Sequence, residues 1–302
     1  MKSIKNTLLG HLAVILLLAS CEKEIKFKQK EVEPKIVINA LQHPDSVWVI
    51  NVSGSTSILD KNKPGSLPNA TVSIKDEGGN VLEVLNHHSD GNFISTQGNK
   101  PLVGKTYQLE VSHINYKTVE ATATFPSPVP FEIVDTSKVS FKSEESMRVK
   151  IRFADPIAES NYYFIKVMVT YKSYWFDEFG NMIDSVYNIY PESIGSNDLN
   201  VENLDENNSK AMELYVKDNL INGKTTEIDL YLNYFLFQHS EYTNITIFFA
   251  SSSKEYYLHK ISKNKYDATQ GNPFAEPVII YSNIKNGIGI FAGYSYSAIS
   301  LK

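Results

Sequence analysis

Short stretches of alternating apolar and polar residues follow one another along the first half of the chain. They are rich in Val, Ile, Thr and Tyr and are separated by turn residues, a pattern typical of β-strands. The stretches are KIVINAL (35–41), VWVINVS (47–53), ATVSI (70–74), VLEVL (81–85), YQLEV (107–111) and KTVEATATF (117–125). Gly78-Gly79-Asn80 predicts a hairpin turn between the third and fourth stretches.

The same pattern predicts the fold class, which is mostly β. Short strands at this spacing favour a β-sandwich over residues 35–125, of the Ig-like or prealbumin-like kind. Three prolines within residues 126–130 disfavour helix and interrupt a sheet, so they predict a linker. A second, larger β domain is then expected over residues 131–302.

Longer apolar stretches fill this second domain. The predicted strands are FEIVDTSKVSF (131–141), MRVKIRF (147–153), YYFIKVMVTYKSYWF (162–176), EIDLYLNYFLF (227–237) and NITIFFA (244–250). One short helix is predicted after Ser252, which would be the N-cap of a capping box with Glu255 at its third position. A C-terminal hairpin is predicted around Asn286-Gly287, with VIIYSNI (278–284) and IGIFAGYS (288–295) as its strands. Gly289 and Gly293 would leave gaps that admit another backbone or a large ring.

The first 20 residues have the pattern of a secretory signal peptide. Lys2 and Lys5 precede a short apolar run, and the small residues Ala19 and Ser20 come directly before Cys21. The apolar run is too short to cross a bilayer, which takes about 20 residues. Leu18 to Cys21 resembles a bacterial lipobox, which implies that Cys21 carries acyl chains such as palmitate. The alternative is an ordinary signal peptide with an incidental cysteine.

Charge patterning describes the segment after Cys21 and the surface of the mature chain. Residues 21–34 alternate in charge and predict a solvated tether. The formal net charge of −5 becomes −7 without residues 1–20, which hold two lysines and no acids. An acidic balance argues against nucleic acid as a partner.

Residues 192–209 are polar and acidic and are predicted to form an exposed loop, either solvated or bound to calcium.

Motifs that carry catalysis or metal binding are missing from the sequence. His87-His88 with Asp90 is the nearest approach to a metal site, but adjacent strand residues point to opposite faces, so a polar turn is the better interpretation. The sequence has no G-x-S-x-G elbow and no P-loop. We therefore expect no enzyme activity, no cofactor and no metal.

An aromatic cluster closes the longest predicted strand. Tyr174, Trp175 and Phe176 stand directly before Asp177-Glu178-Phe179-Gly180, which would place large rings beside a loop. Exposed Tyr and Trp anchor protein partners, and flat rings stack on sugars. Packing within the sheet favours the same residue types. Both interpretations stay open, and these three residues are the candidates for ligand or partner binding.

Four segments together resemble a known family. They are the lipobox, PKIVINAL (34–41), GSLPNATVSIKDEGGN (65–80) and the terminal block NPFAEP with YSNIKNGIGIFAGYS (272–295). The chain thereby resembles the domain of unknown function 4249 family. The resemblance implies a lipid-anchored Bacteroidota outer-membrane lipoprotein that accompanies TonB-dependent receptors, without an assigned enzymatic activity. Glu22 and Glu24, with Lys23 between them, resemble the surface-export signal of Bacteroidota lipoproteins, which implies exposure at the cell surface, with a periplasm-facing anchor as the alternative.

The hypothesis from sequence is a non-catalytic binding or accessory subunit of a TonB-dependent receptor uptake system. The alternative is a stand-alone surface binder of a glycan or a peptide. A hydrolase is the least favoured function.

Overall fold

The computed structural model describes residues 33–57, 65–157, 160–202, 210–272 and 274–302. The predicted signal peptide (1–20), Cys21 and nearly all of the predicted tether (21–34) lie outside the described residues. Pro34–Lys302 forms one compact unit. Within the described residues, no helix has both the length and the apolar character that crossing a membrane requires.

The predicted mostly-β class is confirmed, and the strands follow the alternating stretches of the sequence. The first seven are β1 (Ile36–Gln42), β2 (Val49–Gly54), β3 (Thr71–Lys75), β4 (Val81–Ser89), β5 (Asn92–Ile94), β6 (Thr106–His113) and β7 (Tyr116–Thr124). The turn between β3 and β4 has Gly79 at φ +84°, as the Gly78-Gly79-Asn80 signal predicts. Only β5, three residues long, has no counterpart among the predicted strands.

These seven strands supply most of the first hydrophobic core, to which Ile284 and Phe291 also contribute. β4 passes between two layers, because residues 81–85 pair with β3 and residues 86–89 pair with β5. Trp48 lies at the centre, with the rings of Tyr107 and Phe125 edge-on to it at 5.0 and 5.7 Å. The alternating inward residues are almost fully buried, which is the arrangement of a sandwich.

Eleven further strands and two helices follow. The strands are β8 (Phe131–Phe141), β9 (Glu144–Ala154), β10 (Tyr162–Phe176), β11 (Met182–Glu192), β12 (Ile194–Gly195), β13 (Val201–Glu202), β14 (Lys210–Ala211), β15 (Leu214–Lys217), β16 (Thr225–Asn233), β17 (Tyr242–Ser252) and β18 (Ile288–Ser300). The helices are α1 (Phe235–Gln238) and α2 (Lys254–Thr269), and Asp218–Leu220 is a 3₁₀ turn. The sheet β14-β12-β16-β9-β8 packs on β10 and β17 around a second core.

Helix α2 covers the opposite face of β10, β17 and β18 and is longer than the short helix predicted. Tyr256 stacks on Phe164 at 4.9 Å in this third apolar cluster. The N-cap is Ser253 rather than Ser252, and its hydroxyl accepts a hydrogen bond from the Tyr256 amide. Ser252 is still the last residue of β17, and its hydroxyl donates to the Tyr162 carbonyl. Ser252, which the sequence pattern assigned to the helix as its N-cap, therefore belongs to the sheet.

The predicted C-terminal hairpin is wrong. Residues 278–284 form no strand, whereas β18 pairs with β1 in parallel through residues 288–293 and with β17 through residues 294–300. The Asn283 side chain accepts a hydrogen bond from the Phe291 amide and donates one to the Phe291 carbonyl. These are backbone groups that a hairpin partner strand would otherwise pair with. Asn286 keeps the left-handed backbone that the Asn-Gly signal implies, at φ +62°. β18 thus joins strands of both predicted domains in one sheet, and the boundary at 126–130 stays a prediction.

The two glycines of β18 have the role that the sequence predicted. A Cβ on Gly289 would stand 1.9 Å from the Ile38 carbonyl oxygen of β1. A Cβ on Gly293 would stand 2.8 Å from both the Thr124 carbonyl oxygen and the Phe125 ring. The expected close approach of another backbone and of a large ring is confirmed.

The predicted exposed loop over residues 192–209 is wrong for its described part. Ile194 is fully buried in the second core, and Val201 is nearly so. The Ser196 hydroxyl donates to the Asp229 carbonyl of β16 at 2.8 Å. Two short strands in this polar segment, β12 and β13, therefore pair with one sheet each. Residues 203–209 lie outside the described residues.

The β8–β9 hairpin turns through two residues that carry side chains in a left-handed conformation. Lys142 and Ser143 have φ of +47° and +69° between the paired residues Phe141 and Glu144. Asn and Gly are the residues that suit such a turn. We expect the double substitution Lys142→Asn with Ser143→Gly to stabilise the fold by about 1 kcal/mol, because it removes this strain.

Urea denaturation measures the effect on stability. Ser143→Ala, which retains a Cβ at positive φ, is the control and should not stabilise. An unchanged midpoint in the double variant would show that the turn is not strained.

Candidate functional site

The outer half of the β10–β11 hairpin extends beyond the rest of its sheet. β10 pairs with β17 as far as Tyr171, and the Lys172 amide still donates to the Glu241 carbonyl at 2.8 Å. Beyond Lys172, within the described residues, only β11 pairs with β10. β11 in turn pairs only with β10 among the described strands, so its other edge is free. We call residues 170–189 the ribbon, which runs from the last pairs with β17 to the tip of the hairpin and back. An isolated two-stranded ribbon is marginally stable in water at best, and a free edge can accept another strand.

A tight turn at Asp177–Asn181 closes the tip of the ribbon. One oxygen of the Asp177 carboxylate accepts from the Phe179 and Asn181 amides at 2.9 and 2.8 Å. Hydrogen bonds from the side chain and backbone of Asn181 hold the pKa of Asp177 below its usual value. Gly180 has φ +82°, a conformation that favours glycine. The tip is therefore defined by its own sequence.

Large apolar side chains are concentrated on the ribbon and exposed. They are Tyr174, Trp175, Phe176, Phe179, Met182, Ile183, Val186, Tyr187 and Ile189. Trp175 is 60% exposed and Phe179 is 82% exposed. Contiguous apolar surface of this kind marks interaction sites in soluble proteins.

The rings lie on both faces of the ribbon. Trp175 and Val186 continue the face that β10 presents to the second core, whereas Tyr174 and Tyr187 continue the face that carries α2. The Lys172 ammonium lies 5.3 Å from the Tyr174 ring centroid and 5.4 Å from that of Tyr187, and so holds the two rings side by side. A partner could therefore contact apolar side chains on both faces of the ribbon.

The three aromatic residues named from sequence lie together at the outer end of β10. Tyr174, Trp175 and Phe176 are all exposed, so burial in a core does not account for them. Sequence reasoning missed β11, which supplies Met182, Ile183, Val186, Tyr187 and Ile189. The signal was present: Asp177-Glu-Phe-Gly-Asn181 repeats the pattern of Asp76-Glu-Gly-Gly-Asn80, which forms the β3–β4 turn with matching hydrogen bonds.

The remaining candidate residues of the sequence have structural contacts. The His87 ring packs edge-on against Phe93 at 5.3 Å. Asp198 accepts from Asn200, and Glu202 pairs with Lys217 at 2.9 Å. Among the described residues, no group of three or more His, Cys, Asp or Glu side chains is placed to hold a metal ion.

Comparisons with known proteins gave one family and two distant structural likenesses. A family profile described as Domain of unknown function (DUF4249) matches residues 22–300. Comparison with the curated proteins gave no significant match. Among solved structures, Salmonella alpha-2-macroglobulin reacted with methylamine is 11% identical, at a TM-score of 0.24, over 73% of this chain and 14% of the other.

A second structure is described as manganese lipoxygenase of Gaeumannomyces graminis with a partial structure of zonadhesin of Komagataella pastoris. It is 10% identical, at a TM-score of 0.19, over 72% of this chain and 88% of the other. At these TM-scores neither likeness bears on fold or function.

Proposed function

The chain belongs to the domain of unknown function 4249 family, and from this premise we propose that it is an outer-membrane-anchored lipoprotein that works as a non-catalytic binding subunit. Its ribbon docks on a protein partner in the same membrane, a TonB-dependent receptor. The observation that carries the proposal is the ribbon itself, which exposes apolar side chains on both faces and has one strand edge that no other described strand pairs with.

Charge at the tip favours a protein over a lipid surface as the occupant of the ribbon. Asp177, Glu178 and Asp184 surround the tip, where an anionic membrane would repel them. Tyr and Trp are the residues that most often dominate protein interfaces, and Tyr174, Trp175 and Tyr187 are all available. A strand of the partner could also add to the free edge of β11.

The lipid anchor would keep the ribbon close to a membrane partner. The family match begins at residue 22, directly after the proposed acylated Cys21. A tether of residues 21–34 spans at most about 50 Å when fully extended. Confinement to this distance raises the effective concentration of the two proteins, so a modest interface is sufficient.

The test of this proposal is a pull-down of the tagged protein from gently solubilised outer membranes. We expect a stoichiometric β-barrel receptor with the native chain. Trp175→Ala should weaken that association by about thirtyfold, since truncating a central aromatic anchor costs about 2 kcal/mol. Trp175 is exposed, so the variant should keep the native thermal midpoint.

Phe274→Ala provides the matched control. Phe274 is equally aromatic and 94% exposed but lies outside the ribbon, so its loss should leave the complex intact. Purification of the native protein without any partner would refute docking and favour a stand-alone binder of glycan or peptide.

A further inference from the structure

A cleft of 720 Å³ lies between α2, β10 and the β14–β15 segment. It opens on the face of β10 that carries α2, at the base of the ribbon, and Lys166 and Met168 of β10 form its floor. Its volume is within the range of sites for small organic ligands, about 300–1,000 Å³. Nothing in the proposed docking of the ribbon uses this space.

Basic side chains outnumber acidic ones around the cleft, although the whole chain is acidic. Lys166, Lys210 and Lys260 line it, against Glu213 and Asp267. Most of these charges are already paired. Glu213 binds Lys260 at 3.1 Å and accepts the Tyr215 hydroxyl.

Two more ion pairs reach out of the cleft. Lys210 binds Glu144 at 2.7 Å, and Asp267 binds Lys263. Neither Glu144 nor Lys263 lines the cleft.

Of the three lysines that line the cleft, Lys166 differs from the other two. Within the described residues it forms no ion pair, and its ammonium lies 5.3 Å from the centroid of the Phe248 ring. Burial lowers the pKa of Lys166, Glu213 opposes that shift, and Lys260 adds to it. A partly desolvated ammonium that has no direct ion pair among the described residues favours an anion beside it.

The walls near Lys166 are apolar. Met168 of β10 and Pro191 of β11 are register partners and line the cleft together with Met212 and Ala268. Methionine side chains adapt to ligands of irregular shape. A fully hydrated anion such as phosphate would gain nothing from these walls, whereas an anion with an apolar body would.

We propose that this cleft binds a small organic anion, with one carboxylate at Lys166 and an apolar body against Met168, Pro191 and Met212. A fatty acid and the free C-terminus of an apolar peptide share this chemistry. The site is independent of the ribbon and its partner.

Titration calorimetry tests the site with decanoate and with an N-acetylated apolar tripeptide that has a free C-terminus. Decanol and the corresponding tripeptide amide are the uncharged counterparts. The full chain carrying Cys21→Ser is used, because it needs no detergent that would compete for an apolar ligand. Decanoate binding identifies a fatty acid as the source, and tripeptide binding identifies a peptide terminus.

Two substitutions should change the affinity in opposite directions. Lys166→Met retains most of the apolar stem and removes the charge, and it should weaken carboxylate binding by about tenfold to a hundredfold, the usual contribution of a charge-assisted pair. Glu213→Gln frees Lys260 and should strengthen binding by about tenfold. Neither should alter the weak binding of decanol.

Lys285→Met is the matched control, since Lys285 pairs with Glu120 far outside the cleft lining. The proposal is overturned if neither carboxylate binds, if decanol binds as tightly as decanoate, or if Lys166→Met behaves like Lys285→Met. Thermal midpoints of the variants show that each is folded when it is measured.

Discussion

Gly289→Ala should destabilise the whole fold by about 3 kcal/mol or more. Two effects act together at this position in β18. Gly289 has φ +110°, a conformation that alanine rarely adopts, and an added Cβ would stand 1.9 Å from the Ile38 carbonyl oxygen of β1. Because the contact is with a backbone atom, no side-chain rotation can relieve it. β1 and β18 would therefore have to move apart.

Thermal unfolding followed by circular dichroism measures this effect, and a fall in Tm of roughly 10 °C is expected. Gly98→Ala is the matched control. Gly98 also has a positive φ, +76°, but nothing lies within 4 Å of its added Cβ. It should lose only about 1 kcal/mol from backbone strain. Equal losses in the two variants would show that the close approach of β1 and β18 does not matter for stability.

Cys21→Ser should release the protein from the membrane fraction. A single acyl chain binds a bilayer only marginally, with an association constant of about 10⁴ M⁻¹, and each further buried CH₂ contributes about 0.8 kcal/mol, so the proposed anchoring requires several acyl chains at this one residue. Serine differs from cysteine by one atom and removes the site of acylation. Fractionation of cells followed by immunoblotting measures the result.

Ser20→Ala is the control for this prediction, because alanine retains the small residue before the cysteine and should leave the protein in the membrane. Tight membrane association of the Cys21→Ser chain would contradict lipid anchoring. The measurement concerns residues outside the described structure, and it tests the anchor separately from the ribbon.

Local patterns predicted most of the strands because alternation depends only on neighbouring residues. β10 runs from Tyr162 to Phe176, as its apolar stretch indicated, and the tip aromatics were named correctly as neighbours. The turn at Gly79 followed from its glycines. The strand β11 could also have been predicted, because Asp177–Asn181 repeats the turn pattern of Asp76–Asn80.

Long-range pairing could not be predicted in the same way. The Asn286-Gly287 signal is local, and it did produce a left-handed residue at Asn286. The partner of β18 was decided instead by the fit of Gly289 against Ile38 and by the side chain of Asn283. The cleft around Lys166 also depends on α2, β10 and β15 coming together, which no spacing in the sequence reveals.

The pairing of β18 with β1 has a consequence for the timing of folding. Val37 and Ile288 are register partners, although about 250 residues separate them. At a ribosomal rate of about 5–20 residues per second, the first strand waits roughly 10 to 50 s for its neighbour. Contacts of such high sequence separation fold slowly. The sheet therefore cannot close until residues 288–293, the partners of β1, have been synthesised.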